Sequence, residues 1–171
     1  MHIQEEQSER HVLSLTVSNE AGILARIAGL FTARGYNIDS LTVADISSDH
    51  AISRITIVTN GPSRVIDQII AQLDRLVPVH KVVDLADNGP FVERELALVK
   101  VSGTGEDRIE ALRLADVFRA KVVDTTISSF IFEITGTTEK VNNFVALMGQ
   151  IGLVEVGRTG VVGLVRGSEA V

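Results

Sequence analysis

Val17 to Leu41, VSNEAGILARIAGLFTARGYNIDSL, reads as a strand end, a tight loop, a helix, a glycine stop and the start of a second strand. Alternating Leu13, Leu15 and Val17 run into Ser18-Asn19-Glu20-Ala21-Gly22, after which Ile23, Leu24, Ile27, Ala28, Leu30 and Phe31 recur at helical spacing. Gly35 follows Arg34 where a helix C-cap belongs, and Tyr36-Asn37-Ile38 restarts an extended run. The loop therefore delivers a helix N-terminus, whose unpaired N–H groups favour an anion such as a carboxylate. Gly22 leaves the backbone open to close approach, and Asn19 can donate or accept a hydrogen bond beside it. A plainer reading stands next to this one: Asn19 caps the turn, and Gly22 only permits a sharp corner. The second asparagine, Asn37, at the mouth of the next strand, adds weight to the ligand reading.

Outward from that stretch, the spacing predicts a strand over 11–17, a helix over about 22–34 and strands over 36–46 and 51–59, the last two joined by the polar turn Ser47-Ser48-Asp49-His50. Asn60-Gly61-Pro62 opens a second helix, with Pro62 suited to its first position and Val65, Ile66, Ile69, Ile70 and Leu73 on one face. Residues 77–84 form a fourth strand, where Pro78 suits an edge. LADNGP, residues 85–90, is a linker by composition. The pattern then restarts. A strand carries Leu96 to Val101, and Ser102-Gly103-Thr104-Gly105 is a loop. A helix follows with Ile109, Leu112, Ala115 and Phe118 on one face, then strands over 121–127 and 130–135. Thr137-Thr138 caps a helix with Val141, Phe144, Val145 and Met148, and extended runs over 153–156 and 161–165 close the chain.

The order β-α-β-β-α-β thus appears twice, about 85 residues apart, each copy matching the split βαβ, ferredoxin-like motif. The expected fold class is α+β with two such units in tandem. The expected boundaries are a polar arm 1–10, a first unit 11–84, a linker 85–91, a second unit 92–167 and a tail 168–171. Two helices cover one sheet face. A sheet this rich in Val and Ile does not leave the other to water, so oligomerisation is expected.

Composition narrows the function. With 45% hydrophobic and 22% charged residues, 171 residues suffice for two small domains with true cores. A net charge of −6 opposes nucleic-acid binding, and the strand AISRITIVT lacks the exposed aromatics an RNA-binding sheet requires. Having no cysteine, the chain has neither disulfides nor thiolate chemistry, which fits a cytoplasmic location. Met1–Arg10 carries no apolar core of a secretory signal, and no apolar run reaches membrane-spanning length. Gly103-Thr104-Gly105 lacks the further residues of a phosphate loop. Gly157-Arg158-Thr159-Gly160 reads as a turn with Arg158 facing solvent. The four histidines, His2, His11, His50 and His80, show no metal-ligand spacing, and His50 reads as a surface residue. Glu93 and Glu95 share one strand face but read as solvated. No catalytic or metal-binding constellation emerges.

Asn19-Glu20-Ala21-Gly22, Gly29-Leu30-Phe31, Arg34-Gly35-Tyr36-Asn37-Ile38 and Ser40-Leu41-Thr42-Val43 closely resemble the start of the small regulatory subunits of acetolactate synthase (acetohydroxyacid synthase). Similar pieces continue through Ser53-Arg54-Ile55-Thr56-Ile57, Val92-Glu93-Arg94-Glu95-Leu96 with Leu98-Val99-Lys100, and Gly160-Val161-Val162-Gly163-Leu164 with Arg166-Gly167. The resemblance covers about residues 11–167 and departs from it in the longer polar arm. It implies that the first unit is an ACT domain, a small-molecule sensor. It further implies a non-catalytic chain that binds a large catalytic subunit carrying thiamine diphosphate, magnesium and FAD, raises its activity and confers feedback inhibition, commonly by valine, in branched-chain amino-acid biosynthesis. The family's effector site lies between two ACT domains of a homodimer. That places Asn19, Ala21, Gly22, Ile23 and Leu24 of one copy opposite Asn37 and Ile38 of the other, with Ile23, Leu24 and Ile38 able to line an apolar pocket. A free-standing ACT-type sensor of some other enzyme is the alternative. An enzyme in its own right lacks a supporting site.

Overall fold

The computed structural model describes residues 8–171. Two compact units emerge. Residues up to Val92 together with Val161–Val171 form the first, and Glu93–Gly160 form the second. Of the polar arm expected over 1–10, only 8–10 are described, and Glu9 and Arg10 already belong to the first strand.

In the first unit, β1 (Glu9–Ser18), α1 (Ile23–Ala33), β2 (Ser40–Asp45), β3 (Ile52–Gly61), α2 (Ser63–Leu73) and β4 (Val79–Asp84) follow the ferredoxin-like order, with sheet order β2-β3-β1-β4. All pairs are antiparallel, and β1 and β3 pair over their whole length, from Glu9↔Gly61 to Ser18↔Ile52. Alternation sends Leu13, Leu15, Val17, Ile55 and Ile57 to the helix side, where they meet Ile23, Ile27 and Phe31 of α1 and Ile66, Ile69 and Leu73 of α2. Two ends are set by local chemistry. Pro62 is extended and caps α2 one residue before the position expected. After α1, Gly35 turns left-handed (φ 71°), its N–H bonds Thr32, and the Tyr36 N–H bonds Phe31, a Schellman stop. His11 Nδ1 and Asp84 Oδ2 meet at 2.6 Å, both buried.

The opposite face is not bare. Val12 and Val58, opposite each other on β1 and β3, pack with Leu85 and Val161, flanked by Val83, Phe91 and Val165. The covering segment is the end of the chain, including β9 (Val162–Val165). Val161 is tied to β2 at both of its backbone groups: its N–H donates to Ser40 Oγ at 2.8 Å, and its carbonyl accepts from Thr42 Oγ1 at 3.0 Å. The Arg166 N–H donates to the Pro90 carbonyl at 2.8 Å. At Gly163 an added Cβ would stand 2.6 Å from Leu85 Cδ1, so a larger residue there would force the buried Leu85 side chain to shift. β9 pairs with β5 (Phe91–Ser102), as a closing strand of the second repeat is expected to, while residues 161–171 group by contact with the first unit and cover its sheet. A strand period reveals burial but not which sheet it serves. The expected linker is likewise packed at Leu85, and only Ala86–Asn88 form a short 3₁₀ turn.

The second unit contains most of β5 (Phe91–Ser102), then α3 (Gly105–Val117), β6 (Lys121–Thr125), β7 (Ser129–Gly136), α4 (Thr138–Gly149) and β8 (Leu153–Arg158), ordered β6-β7-β5-β8. Ala97, Val99, Val101, Phe130, Phe132 and Ile134 meet Val141, Phe144 and Met148, and Thr137 Oγ1 caps α4 by accepting from the Lys140 N–H. Three expectations change. The buried face of α3 is Ala111, Leu114 and Ala115, while Ile109 and Leu112 are exposed. An i, i+3, i+4 stripe of small and large residues wins over the bulkier set. Glu95 is buried rather than solvated, and Arg158 is its partner rather than a free surface cation, bonding Glu95 Oε1 and Asn142 Oδ1. Only a strong, directed ion pair makes such a carboxylate tolerable inside.

Leu85→Ala should destabilise the first unit by about 2–5 kcal/mol, the usual cost of emptying a buried leucine site. Deleting 161–171 should also lower its urea midpoint, because Val12 and Val58 lose their cover. Urea titration followed by circular dichroism measures both, and an unchanged midpoint in the deletion would show that the face needs no lid.

Candidate functional site

The turn from β1 into α1 is built around Gly22. Its φ of 84° is left-handed, where a side chain is strained and glycine is not, and this corner points α1 out of the sheet. Ile23 N–H bonds back to Glu20 and Arg26 N–H to Gly22. The other N–H groups of the first turn have no acceptor within the helix. No side chain caps this end, and beyond the adjoining residues no atom lies within 4 Å of where a Gly22 side chain would begin. The helix dipole and an unobstructed approach therefore coincide, which suits a carboxylate.

The expected site residues fall into two groups. Asn19, Ala21, Gly22 and Leu24 gather at the exposed start of α1. Ile23 is different: it is 7% exposed and packed in the core, so it supports the loop from below. Asn37 and Ile38 lie past the other end of α1. Eleven helical residues at 1.5 Å each put that end about 16 Å along the axis. Asn37 Nδ2 donates to Asp39 Oδ1 at 2.7 Å, and its carbonyl accepts from Thr59 Oγ1 at 2.7 Å. Asp39 also accepts from Asn60. Ile38 packs partly into the core. One copy of the chain does not bring the two groups together.

Three polar residues that the sequence reading did not single out as site residues stand beside Asn19. Asp45, at the end of β2, accepts from Asn19 Nδ2 at 3.2 Å and from Ser53 Oγ at 2.8 Å, and His50 Nδ1 lies 2.9 Å from its second oxygen. The Ser53 hydroxyl and then His50 hold the Asp45 carboxyl below the usual carboxylate range. The one available signal was the break from apolar to acidic in Val43-Ala44-Asp45, opposite Ser53 in the ladder. Among the described residues no group of three or more His, Asp or Glu side chains is placed to hold a metal ion. None of the described helices is long and apolar enough to cross a membrane.

Comparison with known proteins places this geometry in context. Residues 13–81 match the AHAS small subunit-like ACT domain, and residues 94–167 match the model described as the small subunit of acetolactate synthase. A probable acetolactate synthase small subunit of Archaeoglobus fulgidus is 44% identical over 160 residues, covering 94% of this chain and 99% of the relative. The acetolactate synthase isozyme 3 small subunit of Escherichia coli is 44% identical over 161 residues, covering 94% and 98%. A crystal structure of the acetolactate synthase small subunit from Thermotoga maritima matches with a TM-score of 0.83 at 37% identity, covering 94% of this chain and 99% of the other.

A depressed carboxylate stabilises the form that is ionised, so its contribution is complete above its unfolded pKa and is lost as pH falls through its folded one. The Asp45 linkage to Asn19 should accordingly be intact near neutral pH and loosen only as pH falls through the lowered folded value of the Asp45 carboxyl. Carboxyl and Asn19 amide shifts followed by NMR from neutral to acid pH measure this, and a midpoint above the usual carboxylate range would contradict the arrangement.

Proposed function

Because this chain belongs to the acetolactate synthase small-subunit family, we propose that it activates the catalytic subunit of that enzyme and makes it sensitive to valine. The observation that carries this is a similarity running through both units, combined with an open helix N-terminus at Gly22. In this reading the chain performs no chemistry itself. Thiamine diphosphate, magnesium and FAD belong to the catalytic partner, which joins two 2-oxo acids, and this chain reports the end product back to it in the cytoplasm.

The effector's carboxylate lies against the backbone at the start of α1, where the dipole favours it. Leu24 supplies apolar contact beside it, and Ile38 of a second copy, with Asn37, closes the other side. Sheet order supports a homodimer through the ACT domains. β2 is an edge strand, and its Val43, with Ile46 just beyond, is exposed next to the loop. An unpaired edge with apolar side chains invites a second copy. Pairing two such edges brings the far end of one α1 toward the near end of the other, which joins the two halves of the site. Light scattering at micromolar concentration should therefore give a dimer or larger. A strict monomer with and without valine would count decisively against the shared site.

Reconstitution tests the role itself. Acetolactate output of the cognate catalytic subunit should rise on adding this chain and fall again with valine, while the chain alone yields none. Gly22→Asp should keep the activation and lose the valine response. Aspartate tolerates left-handed backbone better than most residues and the space at Gly22 is open, so the strain at φ 84° should cost some stability while the unit stays folded, which circular dichroism checks. The new charge, however, stands near the ligand's carboxylate. Like charges about 4 Å apart at an effective dielectric near 20 repel by roughly 4 kcal/mol, and solvent reduces this to a loss of more than about tenfold in affinity. A folded Gly22→Asp variant with normal valine inhibition would make Gly22 a structural corner and nothing more.

A further inference from the structure

The side chain of Asn19 has only one orientation available to it. Its Nδ2 faces Asp45 Oδ1 at 3.2 Å and the His50 carbonyl at 3.0 Å. A carboxylate and a backbone carbonyl can only accept, so the amide nitrogen must point at them and the amide oxygen away. Both acceptors are themselves fixed. Asp45 is held by Ser53 and His50, and the ladder sets it opposite Ser53. His50 sits in the left-handed region at φ 57°, its N–H bonded to the Ser47 carbonyl. The Asp49 carboxylate braces the same turn from the Ala51 N–H, and the Ala51 carbonyl accepts from the Asn19 N–H at 2.8 Å. The β2–β3 turn thus holds the loop by main chain and side chain together.

We propose that Asp45 is a positioning residue that sets the polarity of the effector site. By engaging Nδ2 of Asn19 directly, and by holding through His50 Nδ1 the turn whose carbonyl takes the same amide nitrogen, it leaves only the acceptor Oδ1 for a ligand, so the site takes an ammonium group at Asn19 and a carboxylate at the start of α1. This rests on the effector reading above and adds a selectivity to it. An amino acid presents both groups. The 2-oxo acid of the same carbon skeleton presents a ketone oxygen to Oδ1, two acceptors with no proton between them. The site therefore reads the aminated end product and ignores its 2-oxo precursor, although the two share shape and carboxylate. Were the amide free to turn, its nitrogen would serve the ketone equally well, and the distinction would fade.

The test is titration calorimetry on the full chain with valine, 3-methyl-2-oxobutanoate and 3-methylbutanoate. Wild type should bind valine at least about tenfold more tightly than either acid. Asp45→Ala should weaken valine about tenfold, leave the 2-oxo acid unchanged or tighter, and so collapse the ratio. Asp45→Asn keeps an acceptor oxygen for Asn19 and should hold the ratio within about threefold of wild type. The ratio of two ligands on one preparation cancels any loss of folded protein, so a merely structural effect does not move it. If Asp45 acts through Asn19, the double variant with Asn19→Ala should show the same ratio as Asn19→Ala alone. A wild-type ratio retained in Asp45→Ala overturns the inference while leaving the sensor intact. A wild-type chain that binds none of valine, leucine or isoleucine overturns the effector reading and this inference with it.

Discussion

A βαββαβ sheet has two faces and only two helices, and both helices fall on the same side. Everything about the first unit depends on how the second face is closed. Alternation along β1 places Val12 opposite Val58 on that face as surely as it places Leu13 and Leu15 under the helices. At roughly 25 cal/mol per Å² of apolar surface, two facing valines with Val83 and Leu85 beside them are too much to leave wet. The chain answers with its own last strand, fixed to β2 through Ser40 and Thr42 rather than by a ladder with β1 or β3. The lid therefore leaves the outer edge of β2 available, the edge at which the proposed dimer would pair.

The same division of labour shapes the ligand site. Ile23 is spent on the core, so the loop that precedes it rests on a packed base while Ala21, Gly22 and Leu24 stay exposed. Rigidity comes from below and from the side, through Asp45, Ser53 and His50, and the open space lies in front. A loop held in this way would let the proposed effector bind without first ordering it. In the proposed site the remaining half stands at the opposite end of α1, which would make sensing and assembly one event rather than two.

Much of this was legible from residue order. The run from Val17 to Leu41 announced its strand, corner, helix and glycine stop, because Gly22 and Gly35 stand where the backbone must turn left-handed. The doubled βαββαβ order was equally plain from period and turn residues. Other features were hidden for identifiable reasons. Val161–Val165 has the pattern of a buried strand, but nothing in a pattern says that a strand paired with β5 turns its apolar side chains onto the first sheet. Ala115 and Phe118 of the expected α3 face do meet the core, but Ile109 and Leu112 are bulkier than Ala111, so a hydrophobicity reading turns the face away from the Ala111–Leu114 side that is buried. Glu95 reads as a surface acid until Arg158, sixty-three residues later, is seen beside it. Asp45 and Asn19 are separated by a helix and a strand, and their meeting is a fact of the ladder alone.

The first unit is closed by the last residues of the chain, and this gives its synthesis an order in time. The 68 residues Glu93–Gly160 lie between the body of that unit and its lid. At 5–20 residues per second a ribosome needs roughly 3–14 seconds to make them. Throughout that interval the sheet of the first unit can form, but Val12, Val58, Val83 and Leu85 have no cover. The second unit, whose residues are contiguous, has no such wait and can be complete before its predecessor. A nascent chain of this kind passes through a stage in which its later unit is finished and its earlier one still shows an apolar sheet face to whatever surrounds the ribosome.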